Sequence, residues 1–381
     1  MEFTYCIFIF YSSTLQLLNS TTPKLLTFTG GKEMKKIISV FLTVLLAVML
    51  SAGSTHSAAK PVLHIYTWAD YIKPELVQRF EKEHNCKVVI DTFDSNEAMY
   101  AKIKAGASGY DIITPSSYMV AIMFKQGLLQ KLSPALLPNL KNVDPDYLKF
   151  ALDPKMDHSA PYMLTITGIA CLKSKVKDFK PTWAMFERAD LKGRMTMLND
   201  MRETIGAALK FLGYSLNTTN VAELNAAKEV LIRWKKNLAK FENEQYKTGL
   251  ASSEFLLVHG YSGDIMQVQK ENKDIEFAIP TEGTSFSCDD LVIPKKATQA
   301  KLAHQFINFL YEPGVSAENT EFISYLCPNT ASYDKLSDDL KKNPAIFFLK
   351  MQGSSKNEVI RDLGADNAKY TKIWDQVKAA E

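Results

Sequence analysis

The chain has 381 residues, 46% hydrophobic and 23% charged, an ordinary globular composition with enough apolar residues for two lobes with their own cores. Residues 1–59 hold four basic and two acidic side chains, which leaves 41 basic against 40 acidic in the remainder. That balance gives no case for nucleic acid or an anionic membrane as a partner.

From Met34 the chain reads "MKKIISVFLTVLLAVMLSAGSTHSAAK". Lys35 and Lys36 form a positive start, Ile37 to Leu50 an apolar run, and small residues follow to Ala58 and Ala59. This is the pattern of a secretory signal peptide over 34–59, and the run is too short and wrongly flanked for a membrane span. Residues 1–33 read as an upstream extension. "LSAG", 50–53, would be a lipoprotein box with Cys at 53, but Gly53 offers no thiol, so export is the reading and lipid anchoring the weaker alternative.

Beyond the signal, strands and helices alternate. "VLHIYTW" predicts a strand, "KPELVQRFEKEH" a helix with Pro74 in its first turn, and "KVVIDTF" a β-branched strand. "DSNEAMYAKIKAG" predicts a helix with Asp94 and Glu97 at capping-box spacing and Gly106 as its stop. "YDIITP" is a short buried strand and "SSYMVAIMFKQGLL" the next helix. Such alternation implies a mostly parallel sheet flanked by helices, with the ligand crevice in the loops after the strands. Trp68, Asp70, Tyr71, Ser116, Ser117 and Tyr118 fall on those loops.

"PYMLTITGIACL", 161–172, reads as a long strand crossing between lobes. It is followed by "GRMTML" (strand), "NDMRETIGAALKFLGY" (loop, then helix), "AAKEVLIRWKKNLAKF" (helix), "FLLVHGYSGDIMQVQKEN" (strand, loop, helix) and "DIEFAIP" (strand). "DDLVIPKKA" suits a return crossing, "QAKLAHQFINFL" and "SAENTEFISYL" are helices, and Tyr370, Ile373, Trp374 and Val377 give the last helix one apolar face.

No phosphate-binding glycine loop, dinucleotide fingerprint or zinc-protease motif is present. "GYSGD", 260–264, misses the nucleophile elbow because Asp264 stands where glycine is needed, so Ser262 is a poor nucleophile candidate. The six histidines show no ligand spacing, and His64 and His259 read as hydrogen-bonded residues near a core. Cys86, Cys171, Cys288 and Cys327 show no metal spacing and read as mostly free, buried thiols. No metal or cofactor is implied. What stands out is acid beside aromatic: Asp70 with Trp68 and Tyr71, Asp200 with Glu203 at a loop-to-helix junction, and Asp289 with Asp290 before an apolar strand. Asp200 and Glu203 suit a capping box equally well, and Asp289 a turn. Together they suggest a site for a cation.

The stretches "IYTWADYI", "DSNEAMYAKIKAG", "SGYDIITPSSYMV", "GLLQKL", "NVDPD", "LNDMRETIGAALKFLGYSLNTT" and "DDLVIPKKA" resemble, in order from about Leu63 to the end, the periplasmic spermidine/putrescine-binding proteins of polyamine ABC importers. The resemblance implies an α/β, two-lobed flytrap fold, each lobe a mixed, mostly parallel sheet flanked by helices and joined by hinge crossings. Lobe 1 would take 61–166 and 287–334, lobe 2 167–286 and 335–381. It further implies an exported, monomeric binding protein without catalysis, its partners a polyamine and an inner-membrane ABC permease with its ATPase. The family's aromatic–acid cluster falls on Trp68, Asp70 and Tyr71, its serine–tyrosine loop on Ser116, Ser117 and Tyr118, its acid pair on Asp200 and Glu203, and its late aspartate on Asp289. Two cleft tryptophans common in spermidine-binding members stand here as Tyr261 and Ser287, a threonine as Ala69 and a polar residue as Ile360, which leaves the choice between putrescine and spermidine open. A receptor for another small cationic or polar ligand, a sensor and an enzyme are the alternatives.

Overall fold

Side chains that alternate along a strand serve two cores at once when both faces of the sheet are covered. In the computed structural model, which describes residues 59–348 and 356–380, β1 (Val62–Thr67) sends Leu63 and Ile65 into one apolar cluster and Tyr66 into another. The upstream extension 1–33 and the signal peptide 34–59 lie, save Ala59, outside the described residues.

In chain order β1 is followed by α1 (Pro74–Glu83), β2 (Lys87–Thr92), α2 (Asn96–Lys104), β3 (Ile112–Ile113) and α3 (Ser117–Lys125). A short α4 (Pro145–Leu148) precedes β4 (Ser159–Leu172), buried along all 14 of its residues. Next come β5 (Met195–Met197), α5 (Met201–Phe211), α6 (Val221–Lys235), β6 (Leu238–Phe241), α7 (Gln245–Ala251), β7 (Leu257–Tyr261), α8 (Ser262–Glu271) and β8 (Ile275–Ala278). The chain then returns along β9 (Ser285–Val292) and ends with α9 (Ala300–Leu310), α10 (Pro313–Ile323), α11 (Thr330–Tyr333), α12 (Asp338–Lys342), β10 (Glu358–Val359) and α13 (Asn367–Ala379).

The strands lie in the order β2-β1-β3-β9-β4-β7-β5-β6, with β10 beside β9 and β8 beside β4. β1 is parallel to β2 and β3, and β5 is parallel to β6 and β7. β4 runs antiparallel to β9 through Ile166 and, from Thr167 onward, antiparallel to β7 and β8. The change of partner between Ile166 and Thr167 makes β4 the crossing between two half-sheets. Each half is packed on both faces. Ile112 and Leu291 face the first cluster while Ile113 and Val292 face the other. Ile169, Cys171, Met195 and Leu257 face a third, and Ala170, Leu172 and Val258 a fourth. Each such Leu, Ile or Val contributes about 1.5–3 kcal/mol by leaving water. Tyr370, Ile373, Trp374 and Val377 are all buried, so the apolar face expected on the last helix is real.

Several expectations are corrected. The cap of α2 is Ser95, whose Oγ accepts from the Ala98 N–H at 3.3 Å, so the Asp94–Glu97 box does not form. The predicted helix through Phe241 stops at Lys235, and Leu238–Phe241 pairs with β5 as a strand. No loop separates β7 from α8. β9 starts at Ser285, so Asp289 and Asp290 lie inside a strand: the ladder with β4, in which Ser287 faces Thr165 and Asp289 faces Met163, extends pairing into polar sequence. The stretch 335–348, expected in lobe 2, packs into the first cluster through Leu336, Leu340, Ile346 and Phe348, because the Phe348 ring meets Phe286 of β9 at 5.7 Å. Both ring nitrogens of His259 lack a hydrogen-bond partner among the described residues. Burial pushes its pKa down to about 3, and its ring meets Trp183 edge-on at 4.9 Å, so it is a neutral core residue. The four described cysteines are free and buried.

The crossing itself is tight. Gly168 pairs with Gly260 across β4 and β7, and a Cβ on Gly168 would sit 2.6 Å from the Ala278 carbonyl oxygen and 2.6 Å from the Phe277 ring. Gly168→Ala must therefore shift backbone, and is expected to cost roughly 1–3 kcal/mol. Calorimetry should show a melting temperature lower by several degrees; an unchanged value would contradict the β4–β8 register.

Candidate functional site

A parallel strand ends with its side chains and free amides pointing to the same edge as those of its neighbours, so loops after parallel strands converge. They do so here. Trp68, Ala69, Asp70 and Tyr71 follow β1, Phe93, Asp94 and Asn96 follow β2, and Ser116 follows β3. From the other half-sheet come Asp200 after β5, Asn243, Glu244 and Lys247 after β6, and Tyr261 at the end of β7. These loops enclose a cavity of about 280 Å³ floored by Thr165 of β4 and by Ser287 and Asp289 of β9.

Three buried carboxylates meet there. Asp289 accepts hydrogen bonds from the Ser116 hydroxyl on Oδ1 and the Tyr71 hydroxyl on Oδ2, both at 2.6 Å. Ser116 is itself fixed by Asn96, whose Nδ2 donates to its Oγ at 3.1 Å and whose Oδ1 accepts from its N–H at 3.0 Å. Asp200 caps α5: its Oδ1 accepts from the N–H groups of Arg202 at 2.9 Å and Glu203 at 3.0 Å. Its Oδ2 faces the Tyr261 hydroxyl at 3.4 Å. Glu203 does not complete a capping box. Its Oε2 accepts from the hydroxyls of Thr167, at 3.0 Å, and of Ser285. Among the described residues none of these three acids forms an ion pair with lysine or arginine.

Their electrostatics follow from that arrangement. Burial pushes Asp289 up to about 6, against the pull of its Ser116 and Tyr71 hydrogen bonds. Burial, with Asp200 close by, raises Glu203. Burial also raises Asp200, although the helix N–H groups oppose it. Glu97, which accepts from the Tyr118 hydroxyl at 3.0 Å, is raised by burial and by Asp200. Aromatic rings form the walls: Trp68 lies 4.4 Å from Phe93 and Tyr71 lies 5.8 Å from Tyr325, centroid to centroid. An acceptor-rich, anionic, aromatic-walled cavity suits an organic cation with an apolar body. Among the described residues no group of three or more His, Cys, Asp or Glu is arranged to hold a metal ion.

Of the residues expected from sequence, Trp68, Asp70, Tyr71, Ser116, Tyr118, Asp200, Glu203, Tyr261, Ser287 and Asp289 line this cavity, as does Ile360. Ser117 does not. Its hydroxyl donates to Asp290 Oδ2 at 2.7 Å and to the Cys288 carbonyl at 3.0 Å. Strand alternation is the reason: Asp289 and Asp290 leave β9 on opposite faces, and each takes one serine of the pair. Sequence reading missed Phe93, Asn96, Thr165, Lys247, Asp264 and Tyr325. Thr165 was legible, as a polar position alternating with Leu164 and Ile166, and its buried hydroxyl has no partner among the described residues. Tyr325 had no local signal; it arrives from beyond α10 and its hydroxyl donates to Asp264 at 2.9 Å.

Comparisons with known proteins agree with this geometry. A profile described as bacterial extracellular solute-binding protein matches residues 75–348. The putrescine-binding periplasmic protein SpuD of Pseudomonas aeruginosa is 33% identical over 91% of this chain and 100% of its own length. The spermidine/putrescine-binding periplasmic protein of Escherichia coli is 33% identical over 87% of this chain and 96% of its own. Among solved structures, the TpPotD lipoprotein of Treponema pallidum superposes with a TM-score of 0.73 at 35% identity, covering 83% of this chain and 99% of that one. The spermidine/putrescine ABC transporter substrate-binding protein PotD of Streptococcus pneumoniae superposes with a TM-score of 0.71 at 30% identity, covering 84% and 99%. The fold is thus the two-lobed fold of periplasmic binding proteins.

The buried acids make stability depend on pH. Unfolded, they lose their protons near pH 4. Folded, Asp289 keeps its proton to about pH 6, and Glu203, raised by burial, keeps one above its ordinary range too. The folded protein then binds more protons than the unfolded chain, so its stability falls as pH rises from about 4 through 6 and beyond. Urea titrations of ligand-free protein at pH 5 and pH 8 should show this fall. Glu203→Gln should shrink it by an amount on the order of a kcal/mol or more; an equal pH dependence in the variant would contradict the assignment.

Proposed function

The chain belongs to the family of bacterial extracellular solute-binding proteins, and from that premise we propose that it captures a linear polyamine, putrescine or spermidine, and delivers it to a membrane ABC permease with its ATPase. The observation that carries this reading is the convergence of Asp200, Glu203 and Asp289, buried and free of any lysine or arginine ion pair among the described residues, on a cavity walled by aromatic rings. Buried carboxylates without a cation are costly, and an ammonium supplies the missing charge. In this reading the acids take one ammonium through charge-assisted hydrogen bonds. Trp68, Tyr71, Tyr118 and Tyr261 pack its methylenes. Ser116 positions Asp289, and Thr165 and Ser287 offer hydroxyl acceptors on the floor. Ser117 acts only behind the sheet, through Asp290.

The protein works as a hinge. Lobe 1 comprises 61–166 and 287–334, extended by 335–348, and lobe 2 comprises 167–286 with α13. β4 and β9 are the crossings, and closing the lobes around the ligand creates the face that the permease reads. The segment 34–59 exports the chain to the periplasm, where it acts as a monomer, without a nucleic-acid partner and without chemistry on its ligand.

Calorimetry of residues 60–381 with putrescine, cadaverine, spermidine and spermine tests the reading; no heat with any of them would sink it. Asp289→Asn keeps the shape and removes the charge. Loss of one partner of a buried charged pair costs ~2–5 kcal/mol. Binding should therefore weaken roughly 30- to several-thousand-fold. Asp200→Asn should act similarly, while Glu75→Gln, on the exposed side of α1, should bind as the parent does. Parent-like affinity in both aspartate variants, still folded by circular dichroism, contradicts the assignment. Small-angle scattering of protein stripped of ligand by refolding should show a smaller radius once ligand is added; an equal radius argues against hinge closure.

A further inference from the structure

Seven carboxylates line the cavity, at Asp70, Asp94, Asp200, Glu203, Glu244, Asp264 and Asp289. Among the described lining residues there is one lysine or arginine, Lys247 on α7. Its Nζ lies 3.1 Å from Asp70 Oδ2. The side chain of Lys247 is 18% exposed and that of Asp70 is 65% exposed, so the lysine reaches into the cavity and meets an acid at its mouth. Asp70 belongs to the turn after β1, while α7 packs into the opposite half through Tyr246 and Leu250. The pair therefore spans the cleft. A second contact joins the same two sides: Asn243 Nδ2 donates to the Asp94 carbonyl at 2.9 Å. Burial pulls the Lys247 pKa down, but Asp264 and Asp70 outweigh it and hold the pKa above its ordinary value, so the ammonium is charged.

The two ends of the cavity thus differ. At the deep end Asp200, Glu203 and Asp289 have hydroxyl and amide donors but, among the described residues, no ion-paired lysine or arginine; the Arg202 guanidinium, bonded to the Arg361 carbonyl and Asn217, acts on Asp200 and Glu203 without touching them. At the mouth Asp70 already has such a partner in Lys247. A ligand cation reaching Asp70 must displace Lys247 or sit beside a like charge in a partly enclosed site, where repulsion is poorly screened. We propose that Lys247 is a built-in counter-cation that sets ligand length, admitting a diamine anchored at the deep acids and disfavouring a triamine whose additional ammonium extends to Asp70. This inference rests on the polyamine reading above and adds the preference between its two candidate ligands. Lys247 is the discriminating residue.

The test is titration of putrescine and spermidine into the parent and into Lys247→Met, which keeps an apolar stem and removes the charge, at one ionic strength. The ratio of the two dissociation constants should move by tenfold or more toward spermidine. Lys247→Arg, which restores the charge, should keep the parent's preference. Equal changes for both ligands in Lys247→Met would reduce Lys247 to a latch across the cleft and overturn the proposal, as would no change at all. Absence of heat with either ligand in the parent and in Lys247→Met alike would remove the polyamine reading and this inference with it, an outcome distinct from an unchanged ratio between two measurable affinities.

Discussion

Three carboxylates held out of water with no lysine or arginine ion pair among the described residues are the constraint on which the rest of this protein depends. Asp289, Asp200 and Glu203 are kept in place by hydroxyl and amide donors: Tyr71 and Ser116 on the first, the start of α5 on the second, Thr167 and Ser285 on the third. Neutral donors orient a carboxylate without cancelling its charge. The scaffold must therefore hold the three acids near one another, which it does by setting Asp289 within β9 and Asp200 and Glu203 at the start of α5. Burial accordingly raises the proton affinity of all three acids.

The same residues connect the site to the crossing strands. Thr167 is the first residue of β4 to pair with the second half-sheet, and Ser285 is the first residue of β9. Both donate to Glu203. A change in charge at Glu203 is thus felt where the chain passes between halves. Gly168 and Gly260 follow at once, with no room for a side chain, so the backbone there has one register open to it. The contacts that hold Glu203 and the residues where the chain passes between halves are therefore a single set.

Much of the site was legible because its chemistry sits where parallel strands end. Trp68, Asp70 and Tyr71 after β1 and Ser116 and Tyr118 after β3 came from that rule, Asp200 from its spacing to Glu203 at a loop-to-helix junction, and the resemblance to polyamine-binding proteins fell on the same positions. Ser117 shows the limit. A serine pair and an aspartate pair look equivalent in sequence, yet the pleat sends Ser116 and Asp289 to the cavity and Ser117 and Asp290 behind the sheet. Lys247 shows another. A lysine on a short helix is ordinarily solvated, and only its reach to Asp70 across the cleft makes it part of the site. The capping of α2 by Ser95 rather than Asp94 is a smaller instance, since neighbouring residues of similar capping strength compete and the backbone chooses between them.

The sequence by itself determined the local periods, the strand–helix alternation, the crossing at 161–172, the apolar faces of the helices and the placement of acids and aromatics at strand ends. Each of these rests on interactions within a few residues, which a linear pattern records. The tertiary structure decided which acids share a cavity, which donors hold them and which cation already occupies its mouth. Tyr71 and Asp289 are 218 residues apart in the chain, and Asp70 and Lys247 are 177 apart. Burial, and the pKa shifts and charge balance that follow from it, is set by groups brought together over such distances, so it emerges only when the two half-sheets are assembled.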